Sequence, residues 1–203
     1  MCRELTPWEK CVEFHGHTCP GLVKGFKVAV IALRELGVAR AQDEELVAIV
    51  ENDACGVDAI QVLTGCTMGK GNLIYRDYGK QVYTIGNRKT GEAVRIAVKP
   101  GTVTKDQGYK DLQEKQQNGE ATEKDNARFY QMLMQYCQKI LDLSEEEFCV
   151  VERITTEFPQ RARLFNTVIC QECGEGAMEP RIRLIEGKTV CLVCAGKEYT
   201  RGW

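Results

Sequence analysis

Cys170 and Cys173 form one C-x2-C pair and Cys191 and Cys194 form another, with seventeen residues between the pairs. Each such turn brings two sulfurs to one ion, and Zn²⁺ takes four ligands in a tetrahedron. All four positions are cysteine, so the ion has no open site for a substrate and its role is structural. The same thiolates would also hold an iron centre. Haem attachment would need histidine where Gly174 and Ala195 stand, and a redox dithiol would explain one pair but not two.

The second cluster is His15-Gly16-His17-Thr18-Cys19, which contains both histidines of the chain. In an extended segment, side chains two apart share a side, so His15, His17 and Cys19 are expected to face one point. A thiolate with imidazoles suits a divalent transition metal. Cys19 and Cys55 each precede a helical stretch, where the helix dipole favours the thiolate. Cys55 is therefore expected as a fourth core ligand, and both cysteines are candidate nucleophiles. Asp53 and Asp58 flank Cys55, and either would accept an imidazole N–H.

The elements that must position these residues are legible in part. Leu22, Phe26, Ala29, Leu33 and Leu36 recur at helical spacing after Pro20-Gly21, and Gly37 caps the helix. Residues 46–50 read as a buried strand, and 57–64 as a second helix closed by Gly65. Strands are expected at 73–78, 82–85 and 94–98, with a hairpin turn at 87–91. Residues 101–125 are polar and show no apolar period. Phe129, Leu133, Tyr136, Ile140 and Leu141 mark another helix, and Ser144 with Glu147 makes a capping box. Glu145-Glu146-Glu147 reads as a solvated helix start. Residues 157–163 read as a linker. The fold class is α+β: a mixed helix and sheet core over residues 1–162, followed by a small zinc-ribbon domain over 163–203. In the latter, 181–185 and 189–190 form a hairpin about Glu186-Gly187-Lys188.

The chain has 203 residues, 43% of them hydrophobic, and a net charge of −2. That size supports a real core, and that charge argues against a general nucleic-acid binder. Between Arg153 and Trp203 stand eight Lys or Arg and six Asp or Glu. A four-thiolate zinc centre brings that segment near neutrality, so protein contact is expected of it rather than DNA binding. Without a signal peptide or a membrane-length apolar run, the chain is expected to be soluble and cytoplasmic. Eleven cysteines in such a chain point to metal ligation rather than disulfides. Cys2, Cys11, Cys137 and Cys149 are read as space-filling. Cys66 would lie roughly 16 Å along the helix from Cys55, too far to share an ion. Gly65–Asn72 falls one residue short of a phosphate-loop spacing and has Gly71 where Ser or Thr would be needed. A weak anion site at Lys70 and a plain tight turn remain equal readings.

Three stretches together resemble the FmdE family, which takes its name from an association with formylmethanofuran dehydrogenase, a molybdenum or tungsten enzyme of one-carbon metabolism. They are Phe14-His15-Gly16-His17-Thr18-Cys19-Pro20-Gly21, Asn52–Gln61 and Gly65–Asn72. The resemblance covers about half the chain closely, and the zinc ribbon matches a longer subgroup. It implies an α+β core, a homodimer with an intertwined arrangement left open, and a core site on His17, Cys19 and Cys55. The functions it leaves open are a metal-binding accessory protein, a metal- or thiol-dependent enzyme of one-carbon metabolism, and a zinc-finger regulatory adaptor or metal sensor. The core metal is left as zinc, nickel, iron or molybdenum.

Overall fold

The computed structural model describes residues 3–161 and 164–196. The chain divides into two compact units, residues 1–161 and 162–203. The space-filling role expected of Cys2, and the end of the linker at 162–163, lie outside the described residues.

The first unit begins with α1 (Pro7–His15) and α2 (Pro20–Leu36). Helix α1 has a complete set of start and stop signals: Thr6 and Glu9 form a capping box, Pro7 opens the first turn, and Gly16 closes it at φ 88°. Glycine adopts that left-handed conformation without steric cost. The expected extended run through His15 is therefore corrected. His15 ends a helix, and the chain reverses direction at Gly16.

Strand β1 (Leu46–Val50) is buried at all five positions. It is followed by α3 (Gly56–Thr64) and β2 (Leu73–Tyr75), which pairs parallel to β1. Strands β3 (Val82–Asn87), β4 (Glu92–Val98) and β5 (Cys149–Thr155) then extend the sheet in antiparallel fashion. The strand order is β2-β1-β3-β4-β5. The α+β expectation holds, but β5 is an addition. Three helices precede it: α4 (Gln107–Gln117), α5 (Glu123–Asp142) and α6 (Glu145–Phe148). Helix α4 corrects the reading of 101–125 as featureless. Asp106 caps it by accepting from the Tyr109 N–H at 2.8 Å, and Tyr109 and Leu112 bury one narrow face.

Helix α2 is the spine of the core. Leu22, Val23, Val28, Ala29 and Ala32 are fully buried, with Ile60, Tyr83, Ile85, Ile96 and Phe148 in the same cluster. Its contact with α3 is unusually close. A Cβ on Gly25 would stand 2.0 Å from the Gly56 carbonyl oxygen, so only glycine fits. That close approach brings the start of α2 to the start of α3.

In the second unit, β6 (Thr167–Ile169) pairs with β7 (Gly176–Met178), and β8 (Ile182–Ile185) pairs with β9 (Lys188–Cys191). The β8–β9 hairpin turns at Glu186 and Gly187, both at positive φ (49° and 80°), as a two-residue type I′ turn requires. It is the hairpin expected from the sequence.

Candidate metal centre

Three chain ends meet at the core cluster: the last residue of α1, the N-cap of α2 and the N-cap of α3. The last of these follows the carboxyl end of β1, where open α/β units collect ligands. Pro20 sets the first turn of α2, and Cys19 caps it by accepting the Leu22 N–H at 3.4 Å. The buried Asn52 shapes the loop before α3. Its side chain accepts from the Ala54 N–H at 3.2 Å and donates to the Lys80 carbonyl at 2.7 Å.

One ligand atom each from His15, His17 and Cys19 lies within 4.8 Å of the other two. His15 Nε2 stands 3.7 Å from Cys19 Sγ, while its Nδ1 stands 2.7 Å from Asp58 Oδ2. The two imidazole rings lie 4.5 Å apart between centres. A proton on Nδ1 shared with Asp58 leaves the Nε2 lone pair aimed toward the sulfur. A metal-ligating histidine needs that arrangement, so this donor set fits a transition metal. Of the two flanking carboxylates, Asp58 is the one seen to hold His15.

Cys55 stands just outside that trio of atoms, although it borders Cys19. A Cβ on Gly21 would lie 3.0 Å from Cys55 Cβ, 3.5 Å from Cys55 Sγ and 3.8 Å from Cys19 Sγ. Gly21 is thus the gap into which both sulfurs fit. Burial, followed by the charge of Cys19, raises the Cys55 thiol above its ordinary range. The helix-dipole expectation for Cys55 is therefore corrected: it leads α3, but without metal it is held as a thiol, which is a poor nucleophile.

The remaining cysteines of this unit are packing. Cys11, Cys66, Cys137 and Cys149 are buried, and burial pushes Cys11, Cys137 and Cys149 up to about 11. Lys70 is committed elsewhere, since its ammonium donates to the Asp43 carbonyl at 2.9 Å. Within the loop, the Lys70 N–H donates to Thr67 Oγ1 at 3.3 Å and the Thr67 N–H to Asn72 Oδ1 at 2.9 Å. The 65–72 segment is a self-bonded turn, which favours the tight-turn reading over the anion site.

In the second unit, Cys170, Cys173, Cys191 and Cys194 each offer a sulfur within 4.8 Å of the others. The turn after each pair bonds back to its first cysteine: Gly174 N–H to the Cys170 carbonyl and Ala195 N–H to the Cys191 carbonyl, both at 2.9 Å. The Cys191 N–H points at Cys170 Sγ from 3.3 Å. N–H groups of Cys173 and Cys191 hold the Cys170 thiol down to about 6. Four sulfurs this close repel once ionised, and a cation among them relieves it. The set fits a structural zinc.

Comparison with known proteins agrees with this two-part organisation. Residues 14–150 match the family described as "FmdE, Molybdenum formylmethanofuran dehydrogenase operon". Residues 163–199 match "Prokaryotic dksA/traR C4-type zinc finger". A curated protein of Archaeoglobus fulgidus, named "Probable S-adenosyl-L-methionine-binding protein", is 38% identical over 194 residues. That alignment covers 92% of this chain and 52% of the relative, so the chain spans about half the relative's length. A crystal structure of an FmdE-like protein of tungsten formylmethanofuran dehydrogenase type, from Syntrophus aciditrophicus, shares the fold at a TM-score of 0.60. It is 23% identical, and the match covers 95% of this chain and 92% of that one.

Proposed function

We propose that this chain, which belongs to the FmdE family, is a metal-binding accessory protein with a reactive transition-metal site in its core. Its zinc ribbon then serves as a platform for protein contact. The observation that carries this reading is the geometry of His15. One ring nitrogen is fixed by Asp58 at 2.7 Å, and the other faces Cys19 at 3.7 Å, with His17 in the same cluster.

His15, His17 and Cys19 would hold the ion, with Cys55 as the adjoining fourth sulfur. A bound divalent metal would act there as a Lewis acid. Asp58 keeps the His15 proton on Nδ1, and the Gly21–Gly25–Gly56 contact keeps Cys19 beside Cys55. In the second unit, the exposed Ile169, Met178, Leu184 and Val193 support a role in protein contact, since charged residues are what solvent-facing positions ordinarily carry. A homodimer belongs to the same reading. It is supported by α4, whose main packing partner is α5, so the helical pair forms an arm suited to a second copy of the chain.

Metal counting on the purified full-length chain tests the reading. Two metals per chain are expected in the wild type and one in His17→Ala and Cys19→Ala. A single metal in all three proteins would leave only the zinc ribbon.

A further inference from the structure

Two lysines of α2 behave in opposite ways. Lys27 spends its ammonium on the end of α5, donating to the carbonyls of Ile140, Leu141 and Leu143 at 3.0, 2.9 and 2.7 Å. Lys24 lies three residues closer to Cys19 and is also partly buried. Among the described residues, no ion pair involves it. Its electrostatic neighbour is another cation: burial, followed by the charge of Lys105, holds its ammonium below the ordinary lysine range.

Lys105 is held in place without being neutralised. Its Nζ lies 4.8 Å from the Tyr109 ring centre and 5.9 Å from that of Tyr136. Its hydrogen bond is to the uncharged amide oxygen of Gln113, at 3.4 Å. Aromatic faces orient an ammonium and leave its charge available. The platform stands near the core cluster, since the Tyr109 phenol is raised by burial and by the charges of Cys137, Tyr136 and Cys19.

A partly buried ammonium without an acidic partner is costly, and two that share a space cost more. An oxyanion between them removes both penalties through charge-assisted hydrogen bonds. We propose that Lys24 and Lys105 form an anion-binding subsite for the carboxylate or phosphate of a small substrate, whose other end reaches the His15, His17 and Cys19 cluster. The part of this proposal that concerns the far end of the substrate rests on the core metal reading, whereas the subsite itself is built from residues that ligate no metal.

The test is calorimetric titration of inorganic phosphate and, separately, acetate into the full-length chain at low ionic strength. Saturable binding of at least one anion is expected, weakened about tenfold or more by Lys24→Gln and by Lys105→Gln. Lys24→Arg should retain it, and Lys10→Gln, whose ammonium pairs with Glu4, should leave it unchanged. The stronger of the two anions identifies the substrate's charged group. If Lys24→Gln does not fold, as judged by circular dichroism, Lys105→Gln decides. The same losses are expected in the His17→Ala background, where no core metal can supply the anion's partner. Anion binding there, with metal counting negative in the wild type, would sink the metal reading alone. No saturation by either anion, or equal affinity in wild type and both glutamine variants, would overturn the subsite alone.

Discussion

Asp58 Oδ2 lies 2.7 Å from His15 Nδ1, across 43 positions of sequence. The first turn of α3 therefore fixes the tautomer of a histidine that α1 carries. Gln61, one turn on, donates to the other carboxylate oxygen of Asp58 at 3.4 Å and steadies it. Removing such an outer partner ordinarily lowers metal affinity by about 10- to 100-fold. Asp58→Ala is expected to weaken the core metal by that factor and to leave the ribbon metal untouched. Competition against a chromophoric chelator measures both, and an unchanged core affinity would show that His15 is oriented by something else.

Gly25→Ala tests whether the site depends on the helix crossing. The added methyl would meet the Gly56 carbonyl oxygen at 2.0 Å. That oxygen is backbone, so α2 and α3 must move apart. Overpacking of this kind costs about 1–3 kcal/mol, occasionally more. The urea midpoint should fall accordingly, and the core metal should be lost with it because Cys19 moves away from Cys55. A variant that unfolds earlier yet keeps full core metal would separate the helix contact from the site.

How much of the fold and site is legible in the chain depends on which force decides each element. Helix α2 and strand β1 announce themselves because burial alone shapes them: one has a continuous apolar stripe and the other an unbroken apolar run. Helix α4 hides because only Tyr109 and Leu112 are buried on it. Its signal lies in the Asp106 cap rather than in periodicity. Helix α1 hides for a different reason. Thr6, Pro7, Glu9 and Gly16 spell its two ends, but an extended reading of His15 to Cys19 puts the chemistry ahead of the caps. His15, His17 and Cys19 converge through another geometry, a helix end and a left-handed turn. Sequence alone narrows the His15 partner only to a choice between two acids, because spacing does not say which side of α3 faces α1. Lys24 carries no local signal at all, since its environment is made by the arm about eighty residues later.

That arm leads to a prediction about assembly. Helix α5 has 20 residues, a length of about 30 Å, and its contact with α2 is made with Cys137 and Ile140 buried near its C-terminal end. On the other half, Tyr130 is 59% exposed. An aromatic ring left in water at the end of such a projection is better explained by a partner's surface. Light scattering is expected to return twice the chain mass of 22.8 kDa, and Tyr130→Glu to shift the protein toward the single-chain mass. A wild-type protein of single-chain mass at micromolar concentration would remove the dimer from the proposed function.

Acid is expected to empty the zinc ribbon, with a sign that Cys170 sets. Its thiol, ordinarily near 9.0, is held down to about 6. A group whose value is depressed on folding contributes stability above its unfolded value and loses it as pH falls through the folded one. The window for Cys170 therefore runs from 9.0 down to about 6. Cys194 moves the other way, pushed up to about 12 by hydrogen bonds with Cys191 and Cys173. At neutral pH it keeps a proton that an incoming metal must displace. Both cysteines act on metal binding in one direction, because lower pH lets protons compete better for sulfur. In a Cys19→Ala background, where only the ribbon site remains, zinc affinity should fall steadily from about pH 8 to about pH 5.5. Zinc binding at neutral pH should also release protons, seen in calorimetry as a heat that changes with the buffer's ionisation enthalpy. A flat affinity across that range, with no buffer dependence, would mean that these four sulfurs are not the ligands.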